Sequence, residues 1–243
     1  MSIKTILNYS PNFSLPKRNK NKIKFIILHY TGMKSEKRAI DRLTNLQSQV
    51  SSHFLIKNNG EILTLVPELY IAWHCGFSSW KNYKQLNKNS IGIEITNPGH
   101  QYGYENFKKE QINSLVKLCK FLSKKYKIKK KNILGHSDIA PSRKKDPGEK
   151  FPWEYLAKKD IGIWHYLSKI YLQDQRGKKI NELEKKKSLD NLFKIGYSKN
   201  FKNKDIVDFA VKAFQRRFRP SLINGKIDRE CLLILRKLTK FDF

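Results

Sequence analysis

The chain has 243 residues, 39% hydrophobic and 12% aromatic, enough for one large domain plus a small one and against global disorder. Its three cysteines, Cys75, Cys119 and Cys231, lack CxxC spacing, which argues against a disulfide framework and a thiolate zinc site. The net charge of +29 suits a nucleic acid, an anionic polymer, or a plain compositional bias towards Lys, Asn and Ile. No basic-aromatic strip or nucleic-acid motif stands out, so the bias is the preferred reading and no specific nucleic-acid partner is expected. No stretch approaches the ~18 consecutive apolar residues of a membrane span. The opening Met1-Ser2-Ile3-Lys4-Thr5 carries no apolar leader, from which a cytoplasmic location is expected.

Residues 1–21 read as an irregular arm with Pro11, Pro16 and a basic cluster. Phe25 to His29 is a short buried strand, closed by Thr31-Gly32. The spacing of Ala39, Ile40, Leu43, Leu46 and Val50 predicts a helix over 35–50. His53-Phe54-Leu55-Ile56 and Glu61 to Val66, separated by Asn58-Asn59-Gly60, predict a hairpin. Ser90 to Ile95 is a strand with Ile91, Ile93 and Ile95 on one face and Gly92 and Glu94 on the other. An amphipathic helix follows over 106–126, with Ile112, Leu115, Val116, Cys119 and Leu122 on its apolar side. Strands alternating with helices indicate an α/β fold with a central mixed sheet flanked by helices.

After Trp153 the pattern changes. Residues 174–187 are charged and poor in apolar side chains, and read as a linker between a catalytic domain at 22–173 and a small all-helical domain at 188–243. In that second unit Leu189, Leu192 and Phe193 precede Gly196, a natural helix C-cap. Ile206, Phe209, Ala210, Ala213 and Phe214 make a second apolar stripe. Asp228 is placed to N-cap a third helix running to Leu238. About sixty residues is a size at which many domains fold alone.

The chemistry concentrates in Gly135-His136-Ser137-Asp138-Ile139-Ala140-Pro141-Ser142-Arg143-Lys144-Lys145-Asp146-Pro147-Gly148. This loop follows an apolar run and holds a histidine, a lysine and carboxylates, while His29 ends another apolar run. Two imidazoles and a carboxylate on rigid elements suit a zinc site with one position left for water, the pattern of catalytic rather than structural zinc. Glu94, facing away from the isoleucines, is a candidate general base and acid. Lys144 can bring a cation to a developing oxyanion.

His29-Tyr30-Thr31, Ser52-His53-Phe54-Leu55-Ile56, Ala72-Trp73-His74-Cys75-Gly76, Ile91-Gly92-Ile93-Glu94 and the 135–148 loop occur in this order. Together they resemble the zinc-dependent N-acetylmuramoyl-L-alanine amidases of the amidase-2 type, over roughly 22–160. The resemblance implies the amidase-2 or peptidoglycan-recognition-like fold and one catalytic zinc ion on His29, His136 and Asp146. It also implies Glu94 activating water, Lys144 stabilising the transition state, and Trp73 and His74 lining the substrate cleft. The expected reaction is hydrolysis of the amide joining N-acetylmuramic acid, the 1,6-anhydro form included, to L-alanine of the stem peptide. Peptidoglycan or its anhydro-muropeptide fragments are the expected partners, in cell-wall degradation or muropeptide recycling. His53 is expected to be a buried histidine rather than a ligand. The segment from Leu189 to Leu238 resembles the small helical peptidoglycan-binding domain, which points towards the cell envelope as the alternative location. A murein-binding protein without activity is the alternative function, but such relatives of the fold typically lack a zinc ligand and this chain lacks none.

Overall fold

The computed structural model describes residues 3–198 and 204–241, without the side chains of 204–206. Short β-branched runs supply the central sheet: β1 (Ile6–Leu7), β3 (Phe25–Tyr30), β4 (Phe54–Ile56), β5 (Ile62–Thr64), β9 (Ser90–Ile95) and β10 (Ile133–Gly135). Two small pairs lie outside it, β2 (Phe13–Ser14) with β6 (Ile71–Ala72) and β7 (Ser79–Trp80) with β8 (Tyr83–Lys84). The sheet order is β1-β5-β4-β9-β3-β10, parallel throughout except for the antiparallel hairpin β4–β5. The hairpin is the one expected, and Gly60 supplies the positive φ of 84° that its turn requires.

Register sorts the sheet into two faces. Ile91, Ile93 and Ile95 pair with Ile26, Leu28 and Tyr30 and pack with Leu115, Leu118 and Leu122 of α2 (Lys109–Tyr126) in the main core. On the opposite face Leu55, Glu94 and His29 stand in one row across three strands. Gly135 pairs with Leu28, so His136 follows one residue beyond the last β10–β3 pair, beside His29. The site therefore sits at the carboxyl ends of parallel strands, where open α/β sheets commonly bind ligands.

Helix α1 (Glu36–Thr44) is capped by Ser35, whose side chain accepts from the Arg38 amide, and is shorter than expected. Asn45 leaves the helical region at ψ 125°, and a single 3-10 turn at Leu46–Ser48 follows. The Asn12 amide takes up the Asn45 and Val50 carbonyls at 2.8 and 2.9 Å, so ending the helix leaves neither unpaired. Asn12 belongs to the stretch 1–21, which is not an irregular arm. It adds β1 to the sheet edge and β2 to β6, and buried Arg18 donates to the carbonyls of Glu68 and Asn87.

The linker reading of 174–187 is also corrected. Helix α3 (His136–Ile139) and helix α4 (Trp153–Ala157) lead to α5 (Lys169–Gln175), whose end falls in that stretch, as does the start of α6 (Glu182–Ile195). Asn181 and Glu184 form a reciprocal capping box that starts α6, and the charged side chains around it are its solvent face. Helices α7 (Lys204–Phe218) and α8 (Arg229–Leu238) complete the unit, with Asp228 capping α8 at the Cys231 amide. The stripe begun at Ile206 cannot be followed there, because that side chain lies outside the described residues. Among the described residues, Leu192, Tyr197, Phe214 and Leu235 of the helical unit belong to one continuous apolar cluster with Trp80, Ile133 and Trp153. Among the described residues no helix is long and apolar enough to cross a membrane.

Candidate metal centre

His29, His136 and Asp146 are all buried and present ligand atoms that lie within 4.8 Å of one another. His29 Nδ1 lies 2.9 Å from His136 Nδ1, and Asp146 Oδ2 lies 3.0 Å from each. The residues behind these rings decide which nitrogens carry protons. Ser90 donates its hydroxyl proton to the Leu86 carbonyl at 2.6 Å, so its oxygen accepts from His74 Nε2 at 3.2 Å. Burial, then the neighbouring His29, hold the His74 imidazole well below its ordinary pKa. It is neutral, and its Nδ1 accepts from His29 Nε2 at 3.0 Å. His136 Nε2 donates to the Cys75 carbonyl at 3.0 Å, which also receives Arg143.

With both imidazoles neutral, these partners leave each Nδ1 a bare lone pair aimed at a carboxylate oxygen, with no proton among the three. Such a cluster is repulsive unless a cation sits in it, and two imidazoles with a carboxylate are a donor set that suits zinc. The protonation balance agrees. Burial and the adjacent His136 push His29 down to about 4.

Glu94 is the direct cross-strand neighbour of His29, on the same sheet face. Its Oε2 is buried without a hydrogen-bond partner, and burial followed by the Asp146 charge raises its pKa well above the ordinary value. Burial thus favours the protonated form, the condition that suits a carboxyl to proton transfer. Ser90, Gly92 and Glu94 share this face of β9, and all three serve the site. Any Cβ at Gly92 would come within 2.5 Å of the His74 ring, so the glycine is the slot in which that ring lies.

These groups open into a cleft of about 530 Å³, lined also by Trp73, Tyr102, Arg42, Arg143, Lys144 and Lys145. Lys144 and Trp73 stand in the cleft wall, and the Trp73 indole is fixed by donation to Ser14 Oγ at 2.8 Å. His74 also lines the cleft; the residue is 8% exposed, and its two nitrogens lie within hydrogen-bond distance of His29 and Ser90. His53 is fully buried, accepts from the Gly92 amide at Nδ1 and lies outside the ligand cluster, as expected. Ser90, Gly92, Arg42 and Arg143 were not anticipated. The alternation Ser-x-Gly-x-Glu on one face of a strand was the available signal for the first two.

Two histidines and two carboxylates converging at the ends of parallel strands, beneath a basic cleft, make a group that could hold a metal ion and define the class as a hydrolase. The family model described as N-acetylmuramoyl-L-alanine amidase matches residues 19–149. The N-acetylmuramoyl-L-alanine amidase AmiD of Escherichia coli is 36% identical over 230 residues, 89% of this chain and 82% of that protein. Its solved complex with the substrate anhydro-N-acetylmuramic acid-L-Ala-D-γ-Glu-L-Lys superposes with a TM-score of 0.77 at 34% identity, covering 90% of this chain and 89% of that one. AmpDh3 of Pseudomonas aeruginosa, solved with an anhydromuramic pentapeptide, gives 0.77 at 29% identity, covering 95% and 96%. The chain belongs to the N-acetylmuramoyl-L-alanine amidase family, and its mixed sheet flanked by helices is that family's fold, here with a C-terminal helical region.

Proposed function

We propose that this protein is a zinc amidase that cleaves the bond between the lactyl group of N-acetylmuramic acid, 1,6-anhydro forms included, and L-alanine of the stem peptide. The observation that carries this reading is the convergence of three ligand atoms, His29 Nδ1, His136 Nδ1 and Asp146 Oδ2, beside a carboxyl with an unpartnered oxygen. His29, His136 and Asp146 would hold the zinc, which would act there as a Lewis acid and make water more acidic. Glu94 takes the proton from the attacking water and returns it to the leaving nitrogen, a role that suits its raised pKa. Lys144, from the cleft wall, places its cation near the carbonyl oxygen as charge develops there. Arg42, Arg143 and Lys145 give the cleft a cationic lining that matches the carboxylates of a stem peptide. Trp73 offers a flat wall to the substrate, and His74 orients His29.

The test is incubation with a defined anhydro-muropeptide and product analysis by mass spectrometry. Release of the intact stem peptide, abolished by chelator and restored by zinc, is the expected result. Glu94→Gln should lower kcat by roughly 10²–10⁴-fold while zinc stays bound. Cleavage at an undiminished rate in that variant removes Glu94 from its role. Zinc-loaded protein that leaves both fragments and polymer intact is a binding protein instead.

A further inference from the structure

The C-terminal helical unit reaches the metal loop through one carboxylate. Asp138 lies two residues after His136 in the single turn of α3 and is 1% exposed. Its Oδ2 accepts from the Gly135 amide at 2.8 Å and from Arg217 Nη1 at 2.6 Å, and its Oδ1 accepts from the Tyr197 hydroxyl at 2.7 Å. Arg217 also donates to the Ile133 carbonyl of β10 at 3.1 Å and lies over the Trp153 ring, 4.2 Å from its centroid. The helical unit thus holds the strand that delivers His136, the residue just before it and the turn that contains it. The loop is closed from its other end by the Ser137 amide, which donates to the Asp146 carbonyl at 2.8 Å. Arg217 and Tyr197 are 3% and 2% exposed, and neither lines the cleft.

A junction that served only cohesion would do as well with apolar side chains, because a buried ion pair is costly to desolvate and often replaceable without loss of stability. What a buried charged network supplies in addition is a fixed geometry. We propose that Tyr197 and Arg217 are positioning residues of the metal site, so that the helical unit is a working part of the catalytic centre and not an appended binding module. The proposal rests on the zinc reading above and adds to it a source of ligand geometry outside the sheet.

The experiment uses the full-length zinc protein and three variants, Tyr197→Phe, Arg217→Lys and Arg217→Met. Zinc affinity is measured by competition with a chromogenic chelator, kcat and KM on an anhydro-muropeptide, and melting on the metal-free protein. Arg217→Met should weaken zinc binding by the ~10–100-fold typical of a lost outer-shell partner, and Tyr197→Phe by about tenfold. In both, kcat should fall while KM stays near wild type, because the cleft lining is untouched. Arg217→Lys, which keeps the charge, should recover part of the loss. Where Arg217→Met fails to fold, the two milder variants decide. Wild-type zinc affinity and kcat in both Tyr197→Phe and Arg217→Lys overturn the proposal, whatever happens to melting. Wild-type protein that holds no zinc overturns the reading of the site itself, and the proposal with it.

Discussion

The two histidines proposed to hold the metal are held in place by different parts of the molecule. His29 ends a central strand, and its far nitrogen is fixed by His74, Ser90 and the Leu86 carbonyl, all packed against the same sheet. His136 follows an edge strand. Behind it are one loop carbonyl, from Cys75, and a carboxylate held by residues 59 and 79 positions further along the chain. The His29 side is self-sufficient within the sheet, whereas the His136 side borrows rigidity from the helical unit. An edge strand has a neighbour on one side only, and here α7 and the segment after α6 take the place of the missing one.

This contrast can be broken by measurement, and the largest effect is expected on the borrowed side. Arg217→Ala leaves Asp138 charged and buried without its partner, and should cost the metal-free fold about 3–5 kcal/mol in denaturant unfolding. A loss below 1 kcal/mol would mean that the pair contributes little and that His136 is held by β10 alone.

Acid offers a probe with one reporter on each side. His53 lies beside Gly92 of β9, and burial followed by the Arg18 charge keeps its pKa well below the ordinary value. His165 sits beside Trp164 and against α7, where burial lowers its pKa to about 4. The unfolded chain protonates these imidazoles near pH 6.5, and the folded chain resists until about pH 4 for His165. Across that window the unfolded state binds more protons, so stability is complete above about 6.5 and drains as pH falls towards 4. The loss should be of the order of 3 kcal/mol for His165 alone. Melting of the metal-free protein against pH should show this slope, and His165→Phe should flatten its share. A flat profile from pH 7 to 4 would remove both imidazoles from the balance.

On the sheet side the effects are smaller and fall on the metal. His74→Phe fills the slot over Gly92 but offers His29 no acceptor, and should weaken zinc about 10–100-fold, near 1.4–2.8 kcal/mol. His74→Asn, which keeps an acceptor close to the lost nitrogen, should weaken it less. Equal losses in the two would show that ring shape matters and the hydrogen bond does not. Ser90→Ala removes only the far end of the relay and should cost about 0.5–1.5 kcal/mol of zinc affinity.

The same contrast governs what was legible in the sequence. His29, Glu94, His136 and Asp146 sit in short recognisable motifs, and the alternation on β9 predicts which way Glu94 points. The structure brings those four residues together. The backing of His29 was half visible: His74 lies in a motif, but its partners Ser90 and Leu86 meet it only when the loop folds over β9. Tyr197 and Arg217 were not visible, because nothing near either residue in sequence specifies a carboxylate on α3. The N-terminal stretch was misread because two-residue strands are too short to show a period. Residues 174–187 passed for a linker because the exposed side of two helices is as charged as a linker, although Asn181 and Glu184 are spaced as a capping box.

The pairing of His29 with Glu94 across β3 and β9 carries a consequence for how the gene tolerates change. Side chains alternate along a strand, so deleting or inserting one residue between Ser90 and Glu94 would turn the glutamate into the α2 core and an isoleucine into the cleft. Every chemically important residue would survive such an indel by name, and the enzyme would be lost by parity. Single-codon length changes in β9 should therefore be as damaging as replacing Glu94 outright, while the exposed loop between α5 and α6 can vary in length at far smaller cost.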